Sequence, residues 1–175
     1  MPVRTIIQLG HPTLWEKAVK IESVITDDIR QLITDLRDTL SAFREKNGYG
    51  RGIAAPQVDV LRSIIYVIMP EAGLHGPLIN PEIVYASKEQ VELWDDCFSF
   101  PDLKVKVSRA KKIEVMFFDE HGTNRRIEAE GDLAELLQHE IDHLNGILAV
   151  DRAKSARDLM TRLEWERRKK AGEIL

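Results

Sequence analysis

The sequence predicts an α+β fold on two observations. A helix, a run of strands and then further helices follow one another along the chain, without the regular strand–helix alternation of a parallel sheet. The 175 residues, 43% hydrophobic and 31% charged, also have the length and balance of one globular domain with a sizeable core.

The N-terminal helix is predicted over residues 27–46. Thr26 or Asp27 can cap its start, and Asn47 with Gly48 ends it. Its apolar face recurs at helical spacing and comprises Ile29, Leu32, Ile33, Leu36, Leu40 and Phe43.

The middle of the chain is predicted to form strands over residues 63–69, 78–84 and 88–94. Pro81 marks the second of these as an edge strand or an irregular one, because proline cannot donate a ladder hydrogen bond. Residues 111–131 are predicted to form a hairpin that turns at residues 120–122.

Two more helices are predicted after the hairpin. The first begins at Asp132, which forms a capping-box-like pair with Glu135, and it closes at Gly146. The second covers about residues 155–170 and ends in four basic residues. The sequence therefore predicts a main domain over residues 1–151 and a helical extension over residues 152–175.

Composition excludes several classes of function. The net charge of −4 gives no global sign of nucleic-acid or membrane binding, and no apolar run approaches a membrane span. The first residues lack the pattern of a signal peptide. With a single cysteine, the chain is expected in a reducing, cytoplasmic setting.

The predicted helix at residue 132 contains the sequence HEIDH. His139 and His143 stand one turn apart on one face, so both imidazoles can reach one metal ion. A helical wheel places Glu140 in the middle of the apolar stripe and Asp142 on the solvent side. A carboxylate in an apolar stripe is costly, which favours a general base beside the metal over an amphipathic helix with two surface histidines.

Catalytic sites of this kind use three protein ligands, so one more is expected. The candidates are Cys97, His75, His121 and Glu164. Cys97 is the chemically stronger one, because a thiolate binds divalent transition metals tightly. Taken alone, a single cysteine is more often a small buried hydrophobe than a ligand. A nucleophilic Cys–His pair is a weaker alternative, because it gives the HEIDH sequence no role.

A Gly-rich bend, GRGIAAPQ, occupies residues 50–57. Its glycines allow a ligand to approach the backbone, and the amide of Gln57 could donate to a developing oxyanion. No Lys-Ser/Thr pair follows, which disfavours a phosphate site. By itself the segment could be no more than a tight turn before a strand.

Together these segments resemble the peptide deformylase family, whose motifs are Gly-Φ-Gly-Φ-Ala-Ala-Pro-Gln (Φ, apolar), Glu-Gly-Cys-Leu-Ser and Gln-His-Glu-x-Asp-His-Leu-x-Gly. This chain has GRGIAAPQ (50–57), DDCFS (95–99) and QHEIDHLNG (138–146) in the same order. The resemblance covers the chain roughly to Asp151. It implies an α+β fold with antiparallel strands packed around a central HExxH helix, flanked by an N-terminal and a C-terminal helix.

The resemblance also implies a function. Cys97, His139 and His143 would hold the metal, typically Fe²⁺ with Zn²⁺, Ni²⁺ or Co²⁺ as substitutes. Glu140 would act as acid and base, while Gln57 and the backbone N–H of Phe98 stabilise the oxyanion. The substrates would be N-formylmethionyl peptides of nascent proteins, hydrolysed to formate and a free N-terminus. The site residues implied for substrate binding are Gly50, Arg51, Gly52, Ile53 and Asp96.

The chain departs from the family pattern at three positions. Asp96 replaces the motif glycine, Asp95 replaces the motif glutamate, and Arg51 replaces an apolar residue. Asp95 is expected to pair with Arg109, and Arg51 is hypothesised to face Asp96 across the cleft.

These departures leave other functions open. The alternatives are a deformylase-like paralogue with an altered substrate or no turnover, and an HExxH zinc metalloprotease with Glu164 as third ligand. The C-terminal basic helix is either a solvated tail or, as the resemblance implies, a contact with the ribosome.

Overall fold

The computed structural model describes residues 3–23 and 26–174, so Met1 and Leu175, the ends of the predicted domain division, lie outside the described residues. The described residues form three α-helices: α1 (Asp27–Asn47), α2 (Asp132–Leu144) and α3 (Arg162–Lys170). Short 3-10 helices occupy Pro12–Trp15, Ala55–Val58, Pro70–Ala72, Ala149–Arg152 and Ala156–Asp158.

Helix α1 confirms the prediction to within one residue. It ends at Gly48, whose φ of 77° is left-handed and whose N–H donates to the carbonyl of Arg44 at 2.8 Å. Thr26 stands at the N-cap position, although its side chain makes no capping hydrogen bond. The buried face of α1 covers one end of the larger sheet.

The strands form two antiparallel sheets, as the family resemblance implied. One has the order β1-β2-β3-β6-β7 and the other the order β4-β5-β8. The predicted hairpin is confirmed as β6 and β7. The strand bounds are β1 (Gly52–Ala54), β2 (Ile64–Met69), β3 (Leu74–Ala86), β4 (Gln90–Asp95), β5 (Leu103–Ala110), β6 (Lys112–Phe118), β7 (Asn124–Glu130) and β8 (Leu159–Thr161).

Strand β3 is irregular, as predicted, but it is not an edge strand. It lies in the centre of its sheet, between β2 and β6. Its register with β6 shifts between Ile79 and Glu82, so Pro81 falls in a bulge where no ladder donor is needed. Asn80 supports the bulge: its φ is 50°, and its side-chain amide makes two 2.8 Å hydrogen bonds to the backbone of Ile21.

The predicted helix over residues 155–170 is too long. The chain first forms a 3-10 turn and then β8, which pairs with β5, and α3 begins only at Arg162. The Thr161 side chain accepts a hydrogen bond from the Glu164 N–H and so marks the true helix start. The division at Asp151 stays a prediction, but residues on both sides of it share one sheet.

Helix α2 contacts strands of both sheets. The predicted capping pair is wrong, because Gly131 is the N-cap residue and the Glu135 carboxylate bonds Arg51 instead of the helix backbone. Against the larger sheet, α2 buries an apolar surface made of Leu133, Ala134, Leu136, Leu137, Ile141 and Leu144. This burial fixes the height and rotation of α2, and therefore the direction of its polar side chains.

The C-terminal end of α2 packs directly on backbone. The Leu144 carbonyl accepts a hydrogen bond from the Ala18 N–H at 2.9 Å. Gly146 has a φ of 69°, and a Cβ built on it would lie 2.5 Å from the carbonyl oxygen of Trp15. Glycine is therefore required there on two counts, conformation and space.

We expect Gly146→Ala to destabilise the protein by about 3 kcal/mol, since it combines left-handed strain with a backbone clash. Gly73→Ala is the matched control: Gly73 has a φ of 71° but nothing within 4 Å of its Cβ position. It should cost only about 1 kcal/mol. Urea unfolding measures both, and equal losses would contradict the steric part of the explanation.

Candidate metal centre and active-site cleft

The two histidines of α2 lie side by side and are almost completely buried. The ring centroids of His139 and His143 are 5.0 Å apart, with 74° between the ring planes. The four-residue spacing on one helix face produces this arrangement, as the sequence predicted.

Cys97 completes a compact group with the two histidines. It lies two residues after the end of β4, and its Sγ is 3.2 Å from Nε2 of His143. One donor atom from each of the three residues falls within 4.8 Å of the other two. A thiolate with two imidazoles is a donor set suited to divalent transition metals, so these residues could hold one.

The other third-ligand candidates lie elsewhere. Glu164 is at the start of α3, where its carboxylate bonds Arg167 at 2.8 Å. His121 is exposed in the β6–β7 turn, and His75 is exposed on β3. The geometry therefore gives the metalloprotease hypothesis no third ligand at Glu164. A second group, Asp95 with Glu135 and His139, is also compact. The carboxylate of Asp95, however, already bonds Arg109 and Nδ1 of His139.

Asp95 lies at the centre of a buried chain of charges. Its carboxylate is 3.0 Å from Nδ1 of His139 and 2.7 Å from Nη2 of Arg109, which confirms the expected Asp95–Arg109 pair. The other end of the same guanidinium donates to Asp142 at 2.7 Å, and Arg152 also pairs with Asp142. Asp142 is thus buried, and its predicted solvent position is wrong.

The burial of these groups changes their proton affinities. Burial by itself would raise the pKa of Asp95, but His139 and Arg109 hold it well below the ordinary value. Burial opposes charge on His139 as well, yet Asp95 and Cys97 raise its pKa. Burial and the neighbouring His139 lower the pKa of His143. The charge on Asp95 therefore fixes the orientation of His139 through Nδ1 and leaves its Nε2 free.

Glu140 occupies the position predicted from the helical wheel. It is 3% exposed, and its Oε2 has no hydrogen-bond partner within residues 3–23 and 26–174. Burial, together with the nearby charge of Asp95, raises its pKa to about 7 although His139 opposes the shift. A Cβ on Gly52 would lie 2.7 Å from Oε1 of Glu140, so this glycine leaves the space that the carboxylate fills.

Gln57 and Phe98 place hydrogen-bond donors on the other side of Cys97. The Gln57 Oε1 accepts from the Ala54 N–H at 2.9 Å, which directs its Nε2 to within 3.4 Å of both Cys97 Sγ and Ser99 Oγ. The Phe98 ring stacks on Phe43 with centroids 3.8 Å apart. Within the described part of the chain, the N–H of Phe98 has no acceptor.

A cleft of about 420 Å³ opens over these groups. Four of the five residues implied for substrate binding line it, namely Gly50, Arg51, Gly52 and Asp96. The side chain of Ile53 does not, because it is fully buried against the core under α1. The cleft thus joins the Gly-rich bend, the cysteine turn and α2.

The hypothesis that Arg51 pairs with Asp96 is wrong. Arg51 instead pairs with Glu135 of α2, Nη2 to Oε2 at 2.5 Å. Asp96 pairs with Lys104 at 3.1 Å and with Arg162 at 2.7 Å. Of the three departures from the family motif, Arg51 and Asp96 have partners that the sequence did not predict, whereas the partner of Asp95 was expected.

Sequence reasoning missed part of the cleft wall. Lys104, Arg162 and Trp165 all line the cleft. No motif marks Trp165 as a cleft residue, and no spacing relates Arg162 to an aspartate 66 positions earlier. For Lys104 the one available signal was its place in a strand beginning soon after the cysteine.

Comparison with known proteins assigns the sequence and the fold to one family. The family model described as polypeptide deformylase matches residues 3–158. A relative named peptide deformylase from Thermomicrobium roseum is 46% identical over 159 residues, covering 87% of this chain and 86% of the relative. One named peptide deformylase 2 from Clostridium perfringens is 35% identical and covers 91% and 99%.

Solved structures agree. The peptide deformylase from Ehrlichia chaffeensis, in complex with actinonin, superposes with a TM-score of 0.81 at 32% identity, over 99% of this chain and 100% of that one. The Legionella pneumophila peptide deformylase gives 0.80 at 32% identity, over 98% and 96%. With the family model matched over residues 3–158 and a relative 46% identical over 87% of this chain, the chain belongs to the polypeptide deformylase family.

Proposed function

We propose that this protein is a peptide deformylase, a metal-dependent amide hydrolase that removes the N-formyl group from formyl-methionyl peptides to give formate and a free N-terminus. One observation carries the proposal: Cys97, His139 and His143 converge beside a buried carboxylate, Glu140, at the base of an open cleft. The family membership supports the same reaction.

Cys97, His139 and His143 would be the metal ligands. The softness of the thiolate and the imidazoles favours a divalent transition metal over Mg²⁺ or Ca²⁺. Among these metals, the family resemblance implies Fe²⁺, with Zn²⁺, Ni²⁺ or Co²⁺ as substitutes. When bound, such an ion supplies Lewis acidity to the hydrolysis. Asp95 orients one of these ligands, since its contact with Nδ1 of His139 leaves Nε2 as the atom that would bind the metal.

Glu140 is the proposed acid and base. A carboxyl group with a pKa of about 7 can both accept and return a proton near neutral pH. It would take the proton of the attacking water and deliver it to the amine that leaves. The Oε2 without a partner among the described residues is the atom available for that transfer.

Gln57 and Phe98 are the proposed donors to the oxyanion. Nε2 of Gln57 is held in place because Oε1 is bound to the Ala54 N–H, so donation needs no reorganisation. The Phe98 N–H lies on the next residue after Cys97 in a turn fixed by the Phe43 stack. Gly50, Arg51, Gly52 and Asp96, which line the cleft, are the proposed peptide-binding positions around this centre.

The partners and location implied by the sequence stay proposals. No described helix has both the length and the apolar character needed to cross a membrane. Helix α3 carries four basic residues in its last turn, which suit contact with the ribosome or plain solvation equally well.

Formate release tests the function directly. We expect anaerobically purified, Fe²⁺-loaded protein to release formate from formyl-Met-Ala-Ser, and Glu140→Gln to lower kcat by about 10²- to 10⁴-fold while retaining its metal. Absence of formate from fully loaded wild-type protein would show a member of the family without this activity.

Metal analysis of two variants tests the ligand set. Cys97→Ala should lose bound metal because two imidazoles remain, whereas Glu164→Ala should match the wild type since its carboxylate bonds only Arg167. Atomic absorption after dialysis measures both. The opposite pattern would favour the metalloprotease hypothesis instead.

The space over Glu140 gives a further prediction. Gly52→Ala should lower kcat by about 10- to 100-fold with normal metal content, because the new methyl group displaces the carboxylate. In the Glu140→Gln background the same alanine should cost little more, since the base is already gone. Fully additive effects in this double-mutant cycle would mean that Gly52 acts through another group.

A further inference from the structure

The chain beyond the family match forms one wall of the cleft. The match ends at residue 158, and β8 and α3 follow it. Arg162 fixes this segment to the cysteine side: its N–H donates to the Asp102 carbonyl at 2.8 Å and its Nε to the Pro101 carbonyl at 2.5 Å. Arg162 and Trp165 thereby reach the cleft.

Asp96 is the point at which this wall meets the catalytic side. It occupies the position before Cys97 where the family motif has glycine, and its Oδ2 accepts from Arg162 and Lys104 at 2.7 and 3.1 Å. The departure from the motif and the added segment therefore form one unit.

The charges of this unit do not cancel. Lys104 and Arg162 share one carboxylate, and Lys169 lies 4.6 Å from the Trp165 ring centroid. Glu166 is exposed one turn after Arg162 and offsets one charge, which leaves a net charge of +1 on this wall. The Arg51–Glu135 pair on the opposite wall is neutral, and the remaining charged lining residues, Arg44 and Glu71, are of opposite sign outside the metal group.

The cations are also held in place. The Arg162 guanidinium lies 5.2 Å from the ring centroid of Tyr49, and Nζ of Lys104 lies 4.6 Å from that of Trp165. Only 8% of the Lys104 side chain and 24% of that of Arg162 are exposed. Fixed, partly desolvated cations attract an anion more strongly than mobile surface lysines do.

We propose that the Asp96–Lys104–Arg162 cluster is a specificity site that favours formyl-methionyl peptides carrying a carboxylate in the residues that follow the methionine. The proposal rests on the proposed deformylase function and adds a substrate class to it. The carboxylate could be an acidic side chain or the free C-terminus of a short peptide, and both would be recognised by the same cations.

Amidated peptides separate these sources. We would measure formate release from formyl-Met-Ala-Xaa-amide with Xaa as Glu, Gln or Lys, and from the free acid of the Gln peptide. For the wild type, kcat/KM for the Glu amide should exceed that for the Lys amide by about fivefold, mainly through KM. Added salt should reduce the ratio.

Two variants should move this ratio in opposite directions. Arg162→Gln removes one cation and should bring the Glu/Lys ratio close to 1, whereas Asp96→Asn removes the anion and should raise it. Arg167→Gln is the matched control, because Arg167 lies on the same helix, exposed and paired with Glu164 and Glu173. If the cluster were merely structural, the variants would lower kcat/KM for the Glu, Gln and Lys amides alike and leave the Glu/Lys ratio unchanged.

A wild-type Glu/Lys ratio near 1 or below it overturns the proposal unless the free acid of the Gln peptide is preferred over its amide. Equal values of the preferred ratio in the two variants would also overturn it. A preference for the free acid alone assigns the site to peptide C-termini and also refutes the side-chain form. If no peptide releases formate, the proposed function fails. In that case, calorimetry of the same peptides tests the charge preference separately. The expected result is a lower dissociation constant for the Glu amide than for the Lys amide.

Discussion

The site depends on a buried chain of opposite charges. Arg109, on β5, holds Asp95 at the end of β4 with one nitrogen and Asp142 of α2 with another, both at 2.7 Å. One guanidinium therefore fixes the smaller sheet to the helix that carries the histidines. Breaking one member of such a buried network leaves an uncompensated charge, which is far costlier than losing a surface pair. The relation between Cys97 and the histidines is set by this contact more than by any contact among themselves.

The same network explains why the chain tolerates an aspartate at position 95. The shorter carboxylate still reaches both Arg109 and Nδ1 of His139. At position 96 the outcome is different, because the new carboxylate recruits Lys104 and Arg162 and so brings the C-terminal segment to the cleft. Adjacent acidic substitutions thus have separate effects. Asp95 preserves an internal contact, whereas Asp96 brings the C-terminal segment to one side of the cleft.

Local periodicity made much of the fold predictable. Helix α1, the β6–β7 hairpin and the HEIDH helix all follow from apolar spacing and turn residues within short windows. The position of Asp142 was not predictable in this way. A helical wheel gives only the direction of a side chain around the helix axis, not what lies in that direction. The second half of α2 is buried on all sides, so Asp142 meets Arg109 and Arg152 instead of water. Pro81 left an edge strand and an irregular strand equally open for β3, because sequence alone does not show a bulge, and β8 was missed because three residues carry no period. The pairing of Arg162 with Asp96 depends on tertiary structure alone.

The closeness of Cys97 and His143 has a consequence for folding as well as for chemistry. The two residues are 46 positions apart, and β5, β6 and β7 lie in the loop between them. Coordination of one ion by both would close that loop in the manner of a covalent cross-link, and a disulfide closing a loop of this size removes about 4 kcal/mol of unfolded-chain entropy. Removal of the metal would then reopen the loop between Cys97 and His143 and lower the stability of the fold, at the same time as it abolishes turnover. Thermal resistance and catalytic competence would be lost through a single event.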